Sequence, residues 1–372
     1  MKIGIITFWQ SQDNYGQILQ CYALQRFLKK SGHLPTLIRY KETIDASAKH
    51  TISINKIFKY FTNFTQYYRY FKELINQRLY IKNNNNEKRD FDGFREKHIS
   101  STSNVYNEDG LIVDTPQFDA YICGSDQIWG GRKEYYLSFV SADRKKIAYA
   151  PSFGGVNPFH NSNAVDIKRY LGEFVFLSAR EQAGVELLHE AGFNNARHVV
   201  DPTLLLDASD YSDLIADENC ETLKSNDVFI YLLGNTTACD VKDIVKFIEK
   251  KHLSYTYVAS QGRNDKFPKS YLSIPCWLHG IKESKLVITN SFHCIVFSLI
   301  FHRPFLFIPL SGGYKRMNDR LYDILGKCKL LDRIFDGDFS KAFDHVDFDC
   351  FDTIYAEDIE KSKLLLIDSL SH

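Results

Sequence analysis

Short runs of β-branched and aromatic residues alternate along this chain with stretches in which apolar side chains return every three or four positions. Residues 2–7 read as a strand buried on both faces. Over 16–31 the apolar positions Ile18, Leu19, Tyr22, Ala23, Phe27 and Leu28 keep the helical period, and Gly32 closes the helix. Residues 35–39 return as a second strand. Further strands are predicted at 120–123, 146–149, 174–178 and 198–200, with a helix over 182–191. A charged stretch, 207–227, interrupts the pattern. It restarts with strands at 228–233, 255–259, 286–289 and 305–308 and with helices over 240–251, 277–284 and from His293. Alternation of this kind, twice over, predicts an α/β fold of two Rossmann-like lobes facing across a cleft, divided as 1–207 and 208–372. A last amphipathic stretch, 359–370, reads as a helix crossing back onto the first lobe.

One segment breaks the alternation. Ile54, Ile57, Phe61, Phe64, Tyr68, Phe71, Ile75 and Leu79 form a helical stripe, so a basic, aromatic helical insertion over residues 50–100 is expected in the first lobe. Seven Lys and Arg from Lys49 to Lys82 stand against Glu73 alone, a local charge of +6 in a chain whose 46 basic and 46 acidic residues cancel. Two readings stand side by side: a solvated face on inserted helices, or contact with an anionic membrane surface through residues 50–82. The overall balance gives no reason to expect nucleic acid.

Eight cysteines lie far apart without a CxxC pair, which predicts reduced, buried thiols of a cytoplasmic protein with neither a disulfide framework nor a zinc site. The apolar start runs straight into polar residues 10–13 and reads as a first strand, not a signal peptide. The apolar stretch 294–301 is far below the roughly 20 residues of a membrane span.

Candidate chemistry gathers where predicted strands end. The strand over 286–289 breaks into Asn290, Ser291, Phe292 and His293 before an apolar helix. Ligands of open α/β sheets bind at that edge, and the first turn of a helix favours an anion. Histidine is also the side chain suited to proton transfer near neutrality, although at this position it equally serves as a satisfied structural residue. Other strand ends carry Asn14-Tyr15-Gly16, Gly124-Ser125-Asp126, Ser152, Arg180-Glu181 and Asp201-Pro202.

These blocks together resemble the polysaccharide pyruvyltransferase family. The resemblance runs through NYGQILQCYALQ at 14–25, GSDQIW at 124–129, AYAPSFG at 148–154, ARE at 179–181, DPT at 201–203, TNSFH at 289–293 and NDR at 318–320. It implies a two-lobed fold similar to the B-type glycosyltransferases. It also implies an enzyme that moves the pyruvyl group of phosphoenolpyruvate onto two hydroxyls of one sugar, a hexose such as galactose. The acceptor would be a lipid-linked oligosaccharide or nascent bacterial polysaccharide at the inner face of the cytoplasmic membrane. A cyclic ketal forms and phosphate leaves. Phosphoenolpyruvate is then the donor substrate, with no cofactor and no metal demanded.

A carboxylate and a phosphate on one donor require several cations, Arg best of all. Arg180, Lys315, Arg316 and Arg320 are the candidates, with Asn290, Ser291 and His293 completing the donor site and His293 and Arg180 as the catalytic pair. Asn14, Tyr15, Gly16, Ser125, Asp126, Trp129 and Ser152 are the acceptor candidates. Plainer roles stay open: Asn14 to Gly16 cap and start a helix, Trp129 is a core residue beside a capping acid, and Arg180 with Glu181 is a surface pair. Family members often carry a basic residue two positions before the histidine, where Ser291 stands here. Arg303, Lys315 or Arg320 is expected to substitute, or the donor is held differently. The competing functions are a nucleotide-sugar glycosyltransferase on the same scaffold and an inactive carbohydrate-binding protein.

Overall fold

The structure is a computed structural model that describes the chain apart from residues 44–88, 161–163, 219, 221–226, 236, 313–317 and 372. β1 (Lys2–Ile6) takes the centre of a parallel sheet because Ile3, Ile5 and Ile6 give it apolar side chains on both faces. β2 (Leu34–Tyr40) pairs on one side and β4 (Ala120–Cys123) on the other. With β3 (Ser101–Tyr106) and β5 (Lys145–Ala148) the order is β3-β2-β1-β4-β5. A single bridge from Ile147 to Phe176 leads on to β6 (Ser178–Ala179) and β7 (Arg197–His198). The second parallel sheet consists of β8 (Val228–Tyr231), β9 (Tyr255–Val258), β10 (Leu286–Thr289) and β11 (Phe305–Phe307), in the order β11-β10-β8-β9. The winding reverses beside β1 in one lobe and beside β8 in the other, which opens a crevice at the carboxyl ends of those strands.

The helices of the first lobe are α1 (Tyr15–Lys30), α2 (Phe91–His98), α3 (Glu108–Val113), α4 (Ala164–Leu171) and α5 (Gln182–Glu190). After α6 (Ala208–Ala216), the second lobe carries α7 (Val241–Lys250), α8 (Ile274–Glu283), α9 (Phe292–Ile300) and α10 (Asp319–Lys327). Asn14 caps α1, its side chain accepting from Gln17 N–H at 3.2 Å, and Gly32 at φ 83° turns the chain out of it. α11 (Ala356–Ser371) does return to the first lobe. Ser362 Oγ accepts from Val200 N–H at 3.1 Å, and Lys145 Nζ donates to Leu370 O at 2.7 Å.

One hydrophobic core runs through both lobes, joining Ile5 and Leu19 to Trp277 and Phe297. At its centre the Tyr15 ring stacks on Trp277 at 5.0 Å, and its hydroxyl donates to Leu272 O at 2.8 Å. The predicted strands and helices fall where the pattern places them, within a few residues. Of the expected insertion, residues 44–88 lie outside the described residues, and so does the basic stripe over 50–82; α2 follows directly after. The thiol expectation needs one correction. Cys220 and Cys276, 56 residues apart, form a disulfide with Cα atoms 5.3 Å apart, because the fold lays the segment between the lobes against the start of α8. The remaining six cysteines are free. Among the described residues no helix is long and apolar enough to cross a membrane.

Candidate active site

The strand ends of both lobes converge on a cleft of about 550 Å³. From the first lobe come Asn14 after β1 and Asp126 after β4; from the second come Ser291, Phe292 and His293 after β10, and Arg320 on α10. Asp126 sits in the left-handed region at φ 74°, its own carboxylate accepting from Gln127 N–H at 2.8 Å. Ser291 caps α9 by accepting from Cys294 N–H at 3.4 Å, so His293 stands in the first helical turn.

Three ionisable side chains, Asp201, Arg180 and His293, meet beneath this wall from three strand ends. Asp201 follows β7 and is 1% exposed. Its Oδ1 accepts from Thr203 N–H and Oγ–H at 3.0 and 2.7 Å. Its Oδ2 accepts from Arg180 Nη1 at 2.8 Å and lies 3.4 Å from His293 Nε2. Burial alone would raise the Asp201 carboxyl. The His293 and Arg180 charges, with their hydrogen bonds, outweigh it and hold the group ionised well below the usual carboxylate range. The His293 ring is thereby turned with Nε2 to Asp201, which leaves Nδ1 toward Gly16.

Arg180 and Arg320 approach the same ring, their guanidinium carbons 4.9 and 5.2 Å from the centroid of Phe292. Arg180 lies a layer behind the wall, its side chain 1% exposed; it does pair with Glu181, Nε to Oε2 at 3.7 Å, but that pair is buried and not on the surface. Its Nε and Nη2 are buried without a hydrogen-bond partner, as is Nε of Arg320. Burial and the neighbouring Arg180 press Arg320 down to about 10, while the Arg180 guanidinium, despite burial, is raised by Asp201 and Glu181. Two cations share one ring, and three of their N–H donors have no hydrogen-bond partner, although Glu181 Oε2 stands 3.7 Å from Arg180 Nε. Arg320 and Ser291 line the same cleft.

The structure separates the sequence candidates. Asn14, Asp126, Ser291, His293 and Arg320 reach the cleft. Trp129 does not: it is fully buried, stacked on Tyr136 at 5.5 Å with its indole N–H on Tyr135 O, so it is the core residue and no sugar platform. Tyr15 is likewise buried, spent on the contact between the lobes. Asn290 is engaged at both ends of its amide, accepting from Leu233 N–H at 2.7 Å and donating to Leu233 O at 2.9 Å, so it ties the end of β10 to the end of β8 and is not among the residues that line the cleft. Gly16 is there for close approach: a Cβ at that position would stand 2.8 Å from His293 Cβ and closer still to its ring. Ser125 is buried, donating to Ala150 O at 2.7 Å, and Ser152 is buried and bonded to Glu181. Lys315 and Arg316 lie outside the described residues. Asp201 and Phe292 were missed as site residues. Both sit inside quoted motifs, and the signal available was an acid at a strand end with no basic neighbour in sequence.

Two parallel sheets with their carboxyl ends turned to one polar cleft define a two-lobed α/β protein with Rossmann-like halves. The sequence profile described as polysaccharide pyruvyl transferase matches residues 14–312, and the chain belongs to that family, as a transferase with a polysaccharide acceptor. No curated protein matches it. Among solved structures it is similar to UDP-N-acetylglucosamine 2-epimerase from Rickettsia bellii, at 10% identity, covering 100% of this chain and 96% of that one with a TM-score of 0.49. It is also similar to the Methanocaldococcus jannaschii UDP-GlcNAc 2-epimerase in complex with UDP-GlcNAc and UDP, at 14% identity over 87% and 92% of the two chains, with a TM-score of 0.45.

Proposed function

We propose that the protein transfers the pyruvyl group of phosphoenolpyruvate onto two hydroxyls of one hexose in a lipid-linked or nascent bacterial polysaccharide, forming a cyclic ketal and releasing phosphate. The observation that carries this reading is the Arg320 guanidinium on the cleft wall with His293, backed by the second buried cation Arg180 on the same Phe292 ring. Paired cations of this kind suit a small molecule with two anionic groups. Arg320, on the wall, meets the donor directly. Arg180, behind Phe292, adds positive potential and fixes Asp201.

In the reaction the enol carbon takes a proton and becomes a methyl group, and a sugar oxygen bonds to the adjacent carbon. The carbon–oxygen bond to phosphate breaks with its electron pair, and a second sugar oxygen closes the ketal. Of the two hydroxyl protons, one balances the methyl and one leaves with phosphate. His293, oriented by Asp201, gives and takes these protons, a contribution typically worth about 10²–10⁴-fold. Asn14 and Asp126 on the opposite wall hold the acceptor hydroxyls. The basic stripe of residues 50–82 brings the protein to an anionic membrane surface at its cytoplasmic side, where a lipid-linked acceptor resides.

The test is phosphate release from phosphoenolpyruvate, expected only with a suitable acceptor glycan and lost in His293→Gln. A nucleoside diphosphate that raises the melting temperature where phosphoenolpyruvate does not would sink the proposal in favour of a glycosyltransferase. Sedimentation with anionic liposomes tests the membrane contact: neutralising four basic residues of the stripe is expected to abolish it.

A further inference from the structure

Beside the cleft, on the β2 side, a second groove of about 420 Å³ opens at the same edge of the first sheet. Trp9, Gln10 and Gln17 follow β1, Glu42 follows β2, Tyr135 closes one side, and Gln261 comes from the second lobe. Gln261 also lines the main cleft, where its Oε1 accepts from Asn14 Nδ2 at 3.4 Å, so the two spaces share a wall. None of the acceptor residues expected from the sequence lines this groove.

The lining selects a chemistry. Three glutamines are each fixed at one end by the protein. Gln10 Nε2 donates to Tyr40 O at 3.0 Å, Gln17 Oε1 accepts from Ser11 N–H at 3.1 Å, and Gln261 Oε1 takes the Asn14 amide. One acceptor and two donors remain, a mixed set that suits hydroxyl groups, which do both. Asp13 and Glu42 stand against Lys41 and the Arg132 that pairs with Glu42, so the groove has no excess of positive charge to select a phosphate or a carboxylate. Trp9, its indole N–H pinned to Tyr40 O at 2.8 Å, offers a half-buried ring against which the C–H face of a sugar can pack.

We propose that this groove binds neutral sugar residues of the acceptor next to the one that is modified, so that the glycan runs from the cleft outward over the ends of β1 and β2. The proposal rests on the reading of the cleft as the place where the acceptor reacts. A glycan array printed with galactose-, glucose- and mannose-terminated chains, from monosaccharides to hexasaccharides, tests it without phosphoenolpyruvate. Wild-type signal is expected to grow with chain length, and His293→Gln to bind alike. Gln10→Ala and Trp9→Ala are expected to lower oligosaccharide binding by about 3- to 10-fold each, the weight of one lost hydrogen bond or ring contact, and to leave monosaccharide binding unchanged. Gln10 is exposed, so its variant carries the test should loss of Trp9 disturb folding. A wild-type signal that is flat with chain length, or oligosaccharide binding untouched in Gln10→Ala, overturns the groove. Absent phosphate release alongside length-dependent binding overturns the proposed chemistry and leaves the groove standing.

Discussion

Replacing Gly16 by alanine puts a methyl group where the His293 ring now lies. The added Cβ would stand 2.8 Å from His293 Cβ and closer still to Nδ1 and Cγ of the ring, against a contact optimum of about 3.5 Å, so the ring must retreat by well over about 0.7 Å. Gly16 sits in α1, where alanine is favoured over glycine by at most about 1 kcal/mol. Overpacking opposes this with about 1–3 kcal/mol. The net loss of stability is therefore about 0–3 kcal/mol, below the roughly 5–15 kcal/mol that holds a typical fold. Catalysis has no such compensation, because a displacement near 1 Å of a positioned group costs about 10²-fold. Gly16→Ala is expected to keep a cooperative urea transition, with its midpoint lowered by no more than that loss, and to lose about two orders of magnitude in kcat for phosphate release. The NMR chemical shifts of the His293 ring protons read the same displacement without substrate, through the altered contact with Asp201. A variant that keeps kcat within about threefold, or whose His293 ring shifts are unchanged, refutes the reasoning.

Asp201→Asn leaves a buried arginine and histidine without their counter-charge, so a loss of about 3–5 kcal/mol in denaturant titration is expected alongside the loss of turnover. Arg320→Met is expected to raise KM for phosphoenolpyruvate by about 10-fold or more, while relief of the crowding with Arg180 leaves the ligand-free melting temperature unchanged or higher; an unaltered KM removes Arg320 from the donor site. His198 in β7 is lowered to about 4, by burial first and then by Lys327. The unfolded chain therefore binds the extra proton between about 4 and 6.5, and stability falls as the pH drops through that window; melting temperature against pH is expected to flatten there in His198→Gln. Thiol titration of unfolded, unreduced protein is expected to find six of the eight cysteines, and reduction to cost about 2–4 kcal/mol of stability.

Most of the alternation was legible because parallel strands buried on both faces are written as unbroken apolar runs, as at Ile3 to Ile6 and Leu286 to Ile288. β3 was not. It is an edge strand whose Ser101, Asn104 and Val105 face solvent, so no burial imposes a period on it. α6 hid in the charged stretch for the opposite reason, since Tyr211, Leu214 and Ile215 carry its buried stripe among acids. Site positions were legible as strand ends, yet not the direction in which each side chain points. Trp129 and Asp126 are three residues apart, and one is core while the other faces the cleft. Asn290 has the chemistry of a ligand group but spends it on the backbone of Leu233. Asp201 acquires its partners only when Arg180 and His293 arrive from other strands, a long-range meeting that no local pattern encodes.

Asp201 and His293 belong to different lobes, and a position without a side chain, Gly16, lets the histidine close the distance. On the proposed chemistry, neither half of the chain would turn over by itself. During refolding, the shared core around Tyr15 and Trp277 closes only when both sheets are in place. Turnover then returns with the docking of the lobes, later than the helical signal, and the lag between the two measures how fast the two halves find each other.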